Sequence, residues 1–88
     1  MNINSHKITV TADDIANGIR CNAAKCPLAL ALERETAHQW YVYPDAITNE
    51  LWDEIKLPLD ACEFIEKFDS GTRIGISPFT FVIQTIGA

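Results

Sequence analysis

The residues with the most chemistry in this 88-residue chain are three cysteines, Cys21, Cys26 and Cys62, and two histidines, His6 and His38. Cys21 and Cys26 bracket the stretch "CNAAKC", a spacing wider than a compact two-ligand knuckle. A structural zinc would need two or more further ligands, and nothing in the sequence brings Cys62, His6 or His38 to that pair. No metal and no cofactor is therefore expected. Cys26 stands apart because Pro27 follows it. Proline at the first helical position loses no intrahelical donor and already has a suitable φ, so Cys26 should lie at a helix N-terminus. Free N–H groups and the helix dipole favour a thiolate there, which makes Cys26 the candidate reactive thiol. A cysteine enzyme would also need positioned proton-transfer and oxyanion groups, and His38 falls about a helix length away. Helix initiation and packing are the first reading of Cys26. A cysteine-dependent redox or small enzyme function is the alternative, and catalytic residues are not assigned.

The carboxylates are the second candidate. Seven basic residues against twelve acidic ones give a net charge of −5, which discourages unspecific attraction to nucleic-acid phosphates and anionic membranes. The imbalance is uneven: four acids and four bases precede residue 39, whereas eight acids and three bases follow it. Asp45, Glu50, Asp53 and Glu54 meet no base until Lys56. Paired carboxylates can divide acid and base roles across a substrate, but these show no catalytic spacing, and no phosphate-loop or zinc-protease signature accompanies them. With Trp52 among them, the acids instead suggest docking: an aromatic anchor supplies contact area and surrounding charge supplies orientation. Glu50, Trp52, Asp53 and Glu54 are the candidate protein-binding patch. The nearby rings of Trp40, Tyr41 and Tyr43 lack a basic track, so base stacking is disfavoured and core packing is expected of them.

The elements that must position these residues are legible in outline. Eighty-eight residues fit one domain spanning 1–88, and a 48% hydrophobic content with two Trp, two Tyr and four Phe suits a small packed interior. Ile8 to Val10 read as an opening strand. Thr11 and Asp14 have the spacing of a capping box for a helical turn that Asn17–Gly18 should stop. A second helix runs from Pro27 to near His38, with Leu28, Ala29 and Leu32 facing the interior. "QWYVYP" reads as a strand ended by Pro44, and a further strand falls within residues 52–57. Asp60 should start the clearest helix: Asp60 and Glu63 have capping-box spacing, Ala61, Phe64, Ile65 and Phe68 form an apolar stripe, and Gly71 stops it. In "PFTFVIQTI", Phe79, Phe81 and Ile83 share one face and Thr80, Val82 and Gln84 the other. The expected fold is α+β, a small antiparallel or mixed sheet covered on one face by helices in the approximate order β-α-α-β-β-α-β.

The combination "ITVTADDIANGIR", "CPLALALE" and "LPLDACEFIEKFDSG" followed by "PFTF" resembles a group of small, uncharacterised proteins often encoded by bacteriophages. The resemblance spans most of the chain and implies a virus-encoded accessory or host-interaction factor, without a mechanism. The opening residues lack a basic start followed by a long apolar run, and the odd cysteine count suits reduced thiols, so a cytoplasmic location is expected. The sequence thus points to a non-enzymatic accessory protein with a protein partner, no nucleic acid and no membrane. Homo-oligomerisation stays open.

Overall fold

The first and last segments of the chain form a long ribbon. In the computed structural model, which describes residues 2–49, 54–71 and 76–87, strand β1 (Asn2–Val10) pairs antiparallel with strand β5 (Phe79–Gly87). The register sets Ile8 opposite Phe81 and Val10 opposite Phe79. Strand alternation then does what period two requires: Ile8, Val10, Phe81 and Ile83 are buried, while Thr80, Val82 and Gln84 face solvent. On the outer face the Thr9 and Thr80 hydroxyls lie 3.3 Å apart.

Helices cover the inner face. Helix α1 (Ala12–Asn17) opens with the predicted reciprocal cap: the Asp14 N–H donates to the Thr11 hydroxyl at 3.2 Å, and the Thr11 N–H donates to the Asp14 carboxylate at 2.9 Å. It stops at Gly18, but with φ −68° and ψ 148°, so the glycine is not there for a left-handed turn. A Cβ at Gly18 would lie 2.5 Å from Pro27 Cδ, and the close approach of this loop to the next helix is the reason for glycine. Helix α2 (Pro27–Thr36) begins with Cys26 at its N-cap and Pro27 in its first turn. It buries Leu28, Ala29, Ala31 and Leu32, each at most 1% exposed. Ala37, with φ 61°, closes it two residues short of His38 through an N–H donated to the Glu33 carbonyl.

The chain then adds a second small sheet. Strands β2 (Tyr41–Val42), β3 (Ala46–Thr48) and β4 (Ile55–Lys56) pair antiparallel in that order. The fold is therefore the expected α+β arrangement of antiparallel strands flanked by helices, with β3 as an additional short strand and the sheet divided in two. The sequence concealed β3 because three residues cannot display a periodic pattern. Helix α3 (Leu59–Asp69) buries the predicted stripe of Ala61, Phe64, Ile65 and Phe68. Phe64 sets its ring centroid 4.9 Å from Phe79, which joins the helix to β5.

One local expectation is corrected. Asp60 and Glu63 do not form a capping box, because α3 starts two residues earlier than that box requires, with Pro58 at the N-cap and no side-chain cap bond. Asp60 instead sits inside the first turn, where a carboxylate complements the positive end of the helix dipole. At the other end, Gly71 does stop the chain as predicted. Its φ is +83°, and its N–H donates to the Phe68 carbonyl at 3.1 Å.

Candidate functional site

The cysteines form no disulfide. All three are free: Cys21 is exposed, Cys62 half-buried and Cys26 buried at 6% exposure. Among the described residues no group of three or more Cys, His, Asp or Glu is placed to hold a metal ion. At Cys26 two effects predicted to favour or oppose a thiolate act together. Burial, the larger, pushes the thiol pKa up, while the backbone N–H groups of Ala29 and Leu28 pull it down and Asp69 adds to the rise. The net direction is upward, so the dry surroundings outweigh the helix terminus and favour the thiol, and the Cys26 side chain makes no cap hydrogen bond. Cys62 is also pushed up, first by burial and then by the charge of Asp45. A thiol-alkylation time course read by intact mass should label Cys21 first, Cys62 more slowly, and Cys26 only as the protein unfolds. Native-state labelling of Cys26 at the rate of Cys21 would refute its burial.

Cys21 is held by its backbone. With φ 56° it occupies the left-handed region, and its N–H donates to the Asp69 carboxylate at 3.0 Å, tying the loop after α1 to the last turn of α3.

The docking patch is only partly placed. Glu50, Trp52 and Asp53 lie outside the described residues, and Glu54 is exposed immediately before β4. The three aromatics upstream divide. Trp40 is fully buried, whereas Tyr41 and Tyr43 are 40% and 50% exposed, contrary to a shared core role. Alternation explains the division: Val42 points inward opposite Ile47, which leaves its two neighbours pointing outward. The Leu57 N–H donates to the Asp45 carbonyl at 2.9 Å, so the turn carrying Tyr43 and Asp45 lies beside the segment that leaves Glu54 and enters α3. Leu59, the first residue of that helix, is 73% exposed, and Asp60 follows it. Tyr43 and Asp45 on one side of this bond, and Glu54, Lys56, Leu59 and Asp60 on the other, are thus exposed on the two segments that it joins.

Sequence reasoning missed Tyr43 and Leu59 for identifiable reasons. A ring in a short strand gives no sign of which face is covered until its pairing partners are known. Leu59 lies outside the α3 stripe and opens the helix after the N-cap Pro58, two residues before the N-cap that the sequence suggested.

No family model, curated protein or solved structure matches the chain. Among the described residues no helix is long and apolar enough to cross a membrane. What fold and surface define together is a small α+β domain with Tyr43 and Leu59 exposed on segments that also carry the exposed acids Asp45, Glu54 and Asp60.

Proposed function

We propose that this is a non-enzymatic accessory protein that binds another protein of complementary positive charge, acting in the cytoplasm as a virus-encoded host-interaction or regulatory factor. The observation that carries the reading is the Asp45–Leu57 backbone bond, which joins the segment of exposed Tyr43 and Asp45 to the segment of exposed Glu54, Leu59 and Asp60. Large apolar side chains left in solvent among charges are what a recognition surface offers: the former supply buried area, the latter exclude wrong partners and speed encounter. The segment of Glu50, Trp52 and Asp53 belongs to the same proposal, since it leads directly into Glu54 and β4.

Affinity capture from the native cell, quantified by mass spectrometry, tests the reading with three baits: the unaltered chain, Tyr43→Ala with Leu59→Ser, and Trp52→Ala. A specific partner should be retained by the first and depleted about tenfold by each variant, the scale of an interface anchor losing more than about 1.4 kcal/mol. Added salt should weaken retention through the carboxylates. A partner retained equally by all three baits overturns the surface, and no reproducible partner overturns the function.

A further inference from the structure

A second feature lies away from that surface. Between α1, the loop that follows it and the end of α3 there is a cleft of about 260 Å³, walled by Ile15, Ala16, Phe68 and Ile76. Arg20 stands at it. In a chain with net charge −5, an arginine would be expected to find a carboxylate, yet Arg20 has no acidic group within 4.0 Å and no hydrogen-bond acceptor among the described residues. Asp69, in the last turn of α3, accepts the Cys21 N–H. Arg34, by contrast, is paired with both Asp14 and Glu35.

A glycine at this cleft makes room for the cation. Gly71 also lines it, and a Cβ there would run into the Arg20 guanidinium, so glycine is what lets the cation lie against the end of α3. Gly18, the remaining lining residue, likewise presents no side chain to the space.

We propose that this cleft binds a small monocarboxylate with an apolar body, the carboxylate paired with Arg20 and the body against Ile15, Phe68 and Ile76. Charge and size select that class. A planar guanidinium matches a carboxylate through two parallel N–H donors. One cation does not balance a polyphosphate, and the volume falls below the range of about 300–1,000 Å³ that encloses drug-sized ligands. An apolar amine would meet Arg20 with like charge. A neutral apolar molecule would leave the guanidinium unmatched.

Amide NMR on the full chain tests this with 3-phenylpropionate as the probe and its neutral amide as the control. The acid should give saturable shifts at Ile15, Gly18 and Gly71 with a dissociation constant on the order of 1 mM, the range for a small ligand with one charged contact. The amide, and the acid with Arg20→Gln, should bind about tenfold more weakly, while Arg20→Lys should keep part of the affinity as a point charge. Arg20 is exposed, so these variants should fold, and the same spectra verify that. The proposal is overturned by unsaturable shifts, by the amide binding as well as the acid, or by Arg20→Gln leaving the affinity unchanged. The last result would make Arg20 only a cation at the carboxyl end of α3. None of these outcomes touches Tyr43 or Leu59, so this site and the docking surface fail or stand separately.

Discussion

Trp40→Ala should leave the domain close to unfolding, with a loss of about 3–5 kcal/mol. The reason is position as much as size. Trp40 is completely buried between the end of α2 and the start of β2, and it is the largest of the fully buried side chains among the described residues. Its indole N–H donates to the Thr36 hydroxyl at 2.8 Å, and that hydroxyl donates to the Leu32 carbonyl at 2.7 Å, so the ring also fixes the last turn of the helix. Removing it opens a cavity that short elements on either side cannot collapse to fill. A domain of this size holds only about 5–15 kcal/mol in total, so the loss is a large fraction of what there is. Trp40→Phe should cost less, about 1–2 kcal/mol, since it keeps most of the ring and drops the hydrogen bond. Tyr41→Ala, one residue on and 40% exposed, should stay within about 0.5 kcal/mol. Urea unfolding at unchanged slope measures all three. An alanine variant within about 1 kcal/mol of the parent would show that Trp40 is not a core residue.

That contrast between neighbouring aromatics shows where sequence reasoning reached its limit. Elements whose evidence is local were readable: the Thr11–Asp14 cap, Pro27 starting α2, the apolar stripe of α3, and the alternating face of β5 all depend on residues a few positions apart. What escaped needed partners distant in sequence. The split between Trp40 and Tyr43 is set by Val42 pairing with Ile47, and the joining of the Tyr43 and Leu59 segments by Asp45 meeting Leu57. The Asp60–Glu63 spacing failed for the opposite reason, because a capping box is a local pattern that the observed two-residue shift of the N-cap, from Asp60 to Pro58, cancels. At the cleft, nothing in "NGIRC" announces that Arg20 will reach Gly71 across some fifty residues of chain. Charge composition located the acidic half of the chain, but composition has no geometry, and the residues that give the surface its shape are uncharged.

Asp14 carries the second large effect, and one that depends on pH. It is the buried acid of the described residues, 5% exposed, and its two oxygens have separate duties. One accepts the Thr11 N–H at 2.9 Å, and the other accepts Arg34 Nη1 at 2.7 Å, while Arg34 Nη2 donates to the Thr9 carbonyl at 2.7 Å. A single carboxylate thereby ties β1, α1 and α2 together. Burial is the largest influence on its pKa and raises it, but the Arg34 bond, the Thr11 N–H, the Arg34 charge and the Thr11 hydroxyl together outweigh that and hold it below the ordinary 3.8. Because the folded pKa is the lower one, the carboxylate stabilises the fold above pH 3.8 and that contribution is lost as pH falls through the folded value. Asp14→Ala should cost about 2 kcal/mol at neutral pH, a lost cap plus a lost charged hydrogen bond, discounted because the Arg34 side chain is 43% exposed and partly screened. The gap between parent and variant should be constant from about pH 5 upward and close progressively below it. A double-mutant cycle with Arg34→Gln separates the two contributions, because the cap survives loss of the arginine and the ion pair does not. If the gap instead persisted unchanged into strong acid, Asp14 would be acting by shape alone, and the link from α1 to α2 would not be ionic.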